Sequence, residues 1–266
     1  RRGAAGKSVI LDLQMFKLPT FAWGNLTASM VAVGEFALLF VLPLYLINAE
    51  GFSVMEAGLI LAAMAFGAFF SGAIARHVAA RLGSPGTVTL GLGLELVGVI
   101  ALSLIAGPNT NGWVLVVPLA VYGVGLGLAS AQLTGTVLRD VPVTQSGQGS
   151  ATQSMVRQVG SALGTAFAGT ALSVILSTAL PNALANAGMV GEKADQLAAA
   201  TRMSAGSNLA QLRAQGGAQV QPVVDALADG FTQGARGAMA TSAAFLLIGL
   251  VGSLIVQRAA KQERAA

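Results

Sequence analysis

The apolar residues of this chain run in long blocks rather than alternating with polar ones. Six blocks stand out, over residues 21–47, 57–75, 87–106, 113–138, 155–180 and 237–256. Each is close to the ~20 apolar residues that cross a hydrocarbon core, with allowance for tilt. In lipid, an open strand leaves its backbone unsatisfied, so each block predicts a helix. The expected fold is an all-α membrane protein with six transmembrane helices. Residues 1–20 then form a leader and 257–266 a tail, both outside the bilayer. Residues 181–236 break the pattern and predict an extracytoplasmic loop with short helices at 192–203 and 222–231. In the second, Val223, Val224, Leu227, Ala228 and Phe231 share a face, with Asp225 and Asp229 turned away, which suits a helix lying at the membrane interface. A solvated linker with partial helix fits the same residues equally well.

The cations sort by loop. Arg1, Arg2, Lys7 and Lys17 precede the first block. Arg76, His77 and Arg81 separate the second from the third, Arg139 separates the fourth from the fifth, and Arg258, Lys261 and Arg264 follow the sixth. The short alternate loops, 48–56 and 107–112, carry no Lys or Arg. Short loops rich in Lys and Arg stay on the cytoplasmic side. Both ends of this segment are therefore expected in the cytoplasm, with the chain a multi-pass protein of the cell (inner) membrane. The sequence begins with Arg1 rather than Met, and a start within a longer protein is the expectation.

Composition narrows the function. Charged residues are 10% of the chain, against about 25% in soluble domains, and the apolar surplus lies in the blocks, so a soluble protein with a large core is excluded. There is no Cys, and the single His77 cannot build a metal site alone. The net charge of +4 comes from cations scattered over loops and ends, which argues against a nucleic-acid partner. No nucleophile–base pair or phosphate-cradling loop is present, so an enzyme is not expected, nor a cofactor.

The polar residues inside the blocks carry the chemistry. A carboxylate at the bilayer centre is costly, by roughly 2.5–3.5 kcal/mol on insertion scales, and such groups usually face a bundle interior or a cavity. Glu35 has only Val31, Ala32, Leu38 and Leu39 at helical spacing, so its partner must come from another helix, from water or from a proton. It is the leading candidate for proton or cation coupling, beside a plainer role as a neutral hydrogen-bonded carboxyl. Glu95 is the second candidate. Gly91 and Gly98 share its face, so that face packs closely on another helix, which suits a structural hydrogen bond equally well. The fourth block offers Tyr122, Gln132 and Thr134 as cavity contacts and carries Gly123, Gly125 and Gly127 at every second position. The fifth has Gly160, Gly164 and Ala168 at four-residue spacing, a stripe for close helix packing. Arg139, Asp140 and Arg157 are gating or anchoring candidates, with Arg157 placed to snorkel at the boundary. Pro43 and Pro118 are expected to kink their helices.

The stretch VLRDVPVTQSGQGSATQSMVRQVGSALGTA (137–166) resembles a segment of the fourteen-span drug:proton antiporters of the major facilitator superfamily. LDLQMFKLPTFAWGNL (11–26) is similar to that family's lead-in to its ninth span. GEFALLFVLPLYLINAEGFSVMEAG (34–58) is similar to the end of that span, the outer loop and the start of the next. The order and spacing hold over nearly all of the chain. The resemblance implies the C-terminal half of such a transporter, built as two inverted three-helix repeats, with the N-terminal half, membrane lipid and a small-molecule substrate as partners. It implies export of amphipathic or cationic small molecules, coupled to the proton gradient. By analogy the first and fourth helices line the cavity while the third and sixth lie outside, which raises Glu35 and lowers Glu95. One departure is in ARHVAARLGSPG (75–86), where the family's usual Asp is Ala80, so no charge-relay gate is expected there. Two rival readings are a stand-alone six-span protein acting as a dimeric transporter, and a membrane sensor or scaffold using the 181–236 loop.

Overall fold

The computed structural model describes residues 13–108, 110–217 and 220–265. Arg1, Arg2 and Lys7 lie outside the described residues. Seven α-helices account for most of the described chain, and no strand occurs among the described residues: α1 Pro19–Leu44, α2 Val54–Ile105, α3 Val116–Val137, α4 Ser146–Asn186, α5 Glu192–Met203, α6 Asn208–Gln215 and α7 Gln221–Ala265. Five of them (α1 with the turn that follows it, α2, α3 with the turn before it, α4 and α7) are long and apolar enough to cross a membrane.

Local chemistry sets the helix ends. Ser53 caps α2 with a reciprocal box: the Glu56 amide donates to Ser53 Oγ (3.2 Å), and the Ser53 amide donates to Glu56 Oε2 (2.9 Å). Pro118 does not kink α3. It falls in the first turn, where a missing N–H leaves no bond unmade. Pro43 lies inside α1, and the helix widens directly after it into a π-turn, Tyr45–Ala49.

α2 is one helix only in name. Gly83 has φ 76° and ψ 160°, a left-handed backbone that glycine adopts without a Cβ clash. The two limbs, 54–82 and 84–105, pack on the same helix. Along the first, Met64 meets Gly123 and Ala68 meets Gly127, so it runs parallel to α3. Along the second, Gly91 meets Gly125 and Ala129 while Gly98 meets Pro118 and Tyr122, so it runs antiparallel. The chain reverses at Gly83. α3 is held between the limbs, and this explains its glycine spacing. Residues two apart on a helix point about 200° apart. Gly123 and Gly127 therefore face the first limb, and Gly125 faces the second.

α1, α4 and α7 form a matching group. Gly160 and Gly164 of α4 lie on Ser29 and Val33, so α4 runs parallel to α1. Gly34 meets Ser242 and Leu246 while Gly252 meets Thr27, so α7 runs antiparallel to α1. Gly34 also accepts a hydrogen bond from Ser242 Oγ (2.6 Å) at this crossing.

The two ends of the bundle differ in charge. One end holds the start of α1, the Gly83 turn, the α3–α4 connection and the end of α7. It carries Lys17, Arg76, Arg81, Arg139 and Arg258 against Asp140. The other end holds Glu50, Glu56, Glu192, Asp195, Asp225 and Asp229 against Lys193, Arg202, Arg213 and Arg236.

The helices extend further than the apolar blocks. α4 runs on to Asn186 and α7 begins at Gln221, so residues 222–231 are the first turns of α7 and not a separate interfacial helix. Val224, Leu227 and Phe231 are buried in protein, because the connecting segment folds over them and Gly206 lies against the Phe231 ring. That segment is clasped to the end of α1. Half-buried Arg213 donates to the carbonyls of Asn48 (2.9 Å) and Ala49, and Asn48 Nδ2 donates to the Ala205 carbonyl (2.9 Å). Two charged hydrogen bonds of this kind contribute on the order of 2 kcal/mol together, after allowance for partial exposure. Arg213→Ala is therefore expected to open the segment about thirtyfold more often. Trypsin cleavage after Arg202, followed on gels under native conditions, checks this; an unchanged cleavage rate would show that the clasp contributes nothing.

Candidate functional site

Polar groups from four helices converge in the middle of the bundle. α1 supplies Glu35, sixteen residues into the helix, with its side chain 14% exposed. Its partner comes from α4: Arg157 Nη2 lies 3.7 Å from Glu35 Oε2, with the arginine side chain 33% exposed. At that distance the pair is electrostatic, and Glu35 Oε2 makes no hydrogen bond among the described residues. Arg157 thus reaches into the bundle toward a carboxylate rather than standing as an interfacial anchor.

The second limb of α2 supplies Glu95, which is 0% exposed. Neither of its carboxyl oxygens has a hydrogen-bond partner among the described residues. Close backbone approach places it there. A Cβ on Gly125 would lie 2.6 Å from the Glu95 amide nitrogen, so only glycine at 125 lets this limb press so near to α3. Both Glu35 and Arg157 are within electrostatic reach of Glu95. α3 supplies Tyr122, fully buried against Gly98, with its hydroxyl unpartnered among the described residues and within reach of both glutamates.

A buried polar group without a partner is normally avoided. Here two carboxyls, a phenol and one guanidinium share one region of a bundle of apolar helices. Such a cluster can hold a proton on either carboxyl, since the single cation compensates only one negative charge. Glu95, on the helix that the resemblance places outside, is fully buried and within electrostatic reach of Glu35.

Other predicted residues fall elsewhere. Gln132 and Thr134 lie ten and twelve residues beyond Tyr122 on α3, roughly 15–18 Å along the axis, and Thr134 is exposed. They belong to the basic end. There Asp140 Oδ2 accepts a hydrogen bond from Thr20 Oγ1 (2.7 Å), and Arg139 Nε lies 3.7 Å from Asp140 Oδ1. The aspartate ties the α3–α4 connection to the start of α1. Gly160, Gly164 and the buried Ala168 form the face of α4 that lies on α1. Among the polar residues the sequence does not point to, Gln153, one turn before Arg157, is 3% exposed and Asn25 of α1 is 2% exposed; the amide nitrogen of the first and Oδ1 of the second have no hydrogen-bond partner among the described residues. The available signal was position, since Gln153 precedes Arg157 by four residues on one helix face.

The sequence profile of the Major Facilitator Superfamily matches residues 1–165, more than half of the chain. The chain belongs to the major facilitator superfamily. Members of this superfamily are transporters, not enzymes. Among curated relatives, this superfamily chain is 27% identical to the "Riboflavin transporter RibZ" of Clostridioides difficile (strain 630), over 59% of its own length and 34% of that protein. It is 25% identical to the "Multidrug resistance protein Stp" of Mycobacterium tuberculosis (strain ATCC 25618 / H37Rv), over 64% of its length and 32% of that protein. It is also 25% identical to the "Tetracycline resistance determinant" of Streptomyces rimosus, over 98% of its length and 80% of that protein. The matched region thus spans about a third of the first two relatives and most of the third.

Proposed function

We propose that this chain is the C-terminal half of a fourteen-span drug:proton antiporter, which exports amphipathic or cationic small molecules by alternating access. Membrane-spanning limbs 54–82 and 84–105, counted separately, raise the five long helices to six crossings. The packing supports two inverted repeats. In the first, α1 is followed by the two limbs; in the second, α3 is followed by α4 and α7. The first helix of each repeat is parallel to the second helix of the other repeat and antiparallel to its third. The basic end is assigned to the cytoplasm of the cell (inner) membrane, and both ends of this segment lie there.

The observation that carries the coupling is the convergence of Glu35, Glu95, Tyr122 and Arg157 from four helices. When Glu35 is ionised, Arg157 holds it, and α1 and α4 are drawn together. When it takes a proton, that attraction is lost and the contact between the two helices is free to change. Proton binding drives transport only if it favours one arrangement of the bundle over the other. Glu95 is the second acceptor and Tyr122 a wall of the same site. The names of the relatives, which include multidrug and tetracycline resistance proteins, support an exported small molecule. The proton gradient is the energy source and no cofactor takes part.

The test is reconstitution of the intact transporter in vesicles with an imposed pH gradient and an amphipathic cation such as ethidium. Accumulation that follows the gradient and disappears when nigericin collapses it supports the reading. Accumulation indifferent to the gradient, or undiminished in both Glu35→Gln and Glu95→Gln, overturns it.

A further inference from the structure

Around the Gly83 turn, two mostly apolar grooves lie beside a stretch that carries arginines. The first groove, about 510 Å³, runs between the second limb of α2 and the last part of α7. Leu82, Leu90, Leu94 and Val97 form its walls, and Gly86 and Gly93 widen it. Its floor is already satisfied, because Thr89 Oγ1 and Ser253 Oγ share a hydrogen bond of 2.7 Å. Gly93 leaves the groove open: a Cβ there would meet nothing within 4 Å. The second groove, about 530 Å³, lies on the other side of Leu82, along the end of the first limb. Leu82 separates the two. Exposed Arg81 lines the second groove beside His77, and exposed Arg76 and Arg258 are each next in sequence to a lining residue, His77 and Gln257. No acidic residue occurs from Ala57 to Leu94.

We infer that this turn is a binding site for an anionic diacyl phospholipid, one acyl chain in each groove and the phosphate drawn to the arginines. Two apolar grooves divided by one leucine match the forked tail of such a lipid. Three arginines with no ion pair among the described residues select its charge, since basic pockets between helices at the cytoplasmic side attract anionic headgroups. A zwitterionic lipid fits the grooves but gains little from the arginines. The inference rests on the reading that these helices cross a bilayer with this turn at the cytoplasmic face. Lipid retention is read without any transport, so a failed pH-coupling experiment leaves it standing, and the reverse also holds.

The intact transporter, delipidated in detergent, is titrated with palmitoyl-oleoyl phosphatidylglycerol or the matching phosphatidylcholine, and bound lipid is counted by native mass spectrometry. Phosphatidylglycerol is expected to be retained preferentially. Replacing Arg81 and Arg258 together by Gln should reduce that preference about fivefold for each cation removed, while Lys at both positions should preserve it. Gly93→Leu, which fills open space on a helix, should lower phosphatidylglycerol occupancy with every arginine in place. Equal retention of the two lipids, a preference unchanged in the double Gln variant, or full occupancy in Gly93→Leu would each overturn the assignment. Monodisperse elution of each variant establishes that it is folded before titration.

Discussion

Glu35→Gln is expected to abolish pH-driven accumulation while the protein still folds and binds substrate. Gln keeps the shape of the side chain and its capacity to accept a hydrogen bond, but it cannot gain or lose a proton. It also leaves Arg157 without the carboxylate 3.7 Å away. Arg157 is one-third exposed, so it keeps contact with water and the loss is smaller than for a sealed ion pair. With one proton exchanged per substrate molecule, a gradient of one pH unit sustains about tenfold accumulation, because each proton then carries roughly 1.4 kcal/mol. The unmodified transporter is expected to approach that ratio. Glu35→Gln is expected to stay near one, with downhill substrate exchange retained. Downhill exchange matters because it separates lost coupling from lost folding. Glu95→Gln is expected to weaken accumulation less, since Arg157 and Glu35 still form a titrating pair. Accumulation near tenfold in Glu35→Gln would assign the proton to Glu95 or to another part of the transporter.

The second large effect concerns α3. Adding a methyl group at Gly123, Gly125 or Gly127 should destabilise the protein, and the same change at Gly135 should not. A Cβ on Gly123 would overlap the Met64 carbonyl oxygen, and one on Gly127 would overlap Ala68 and Ser71. The obstacle is mostly backbone, which no rotamer change relieves. Overpacking of a tight core costs about 1–3 kcal/mol, and these contacts are expected at the upper end. Gly135 lies on the same helix with nothing within 4 Å of its would-be Cβ. There Ala gains helix propensity, worth roughly 0.5–1 kcal/mol over Gly. Thermal unfolding of the four single Ala variants in one detergent gives the comparison. The first three should melt earlier than the unmodified protein and Gly135→Ala at or above it. If all four shift alike, the losses come from helix chemistry in general and not from the squeeze between two limbs. Gly125→Ala has a further consequence, because it pushes on the backbone that carries Glu95. It should impair coupling even at temperatures where it remains folded.

Much of this was legible in one dimension. Block length and low charge determined an all-helical chain with helices long enough for a membrane, because lipid leaves the backbone no other open choice. Gly91 and Gly98 announced a close helix contact beside Glu95, and the stripe Gly160–Gly164–Ala168 announced another, since small residues at helical spacing let backbones approach. Glu35 declared a need for a partner because nothing at helical spacing could pair with it. The order of motifs from Leu11 to Ala166 was enough to place the superfamily.

Partners and faces were not legible. Arg157 read equally as a boundary anchor or a gating residue, and only the parallel packing of α4 on α1 brought its guanidinium to Glu35. Glu95 read as a residue on a face packed against another helix, and only the reversal at Gly83 showed that helix to be α3. The alternating glycines of α3 read as a helix surface for close packing, and only the tertiary structure put a different neighbour on each side of it. Residues 222–231 read equally as an interfacial helix or a partly helical linker, because an apolar stripe looks the same whether lipid, water or protein covers it. Periodicity along one helix records which residues are hidden. What hides them, and which charges meet across the gap, depends on residues more than a hundred positions apart, and only the packed bundle decides that.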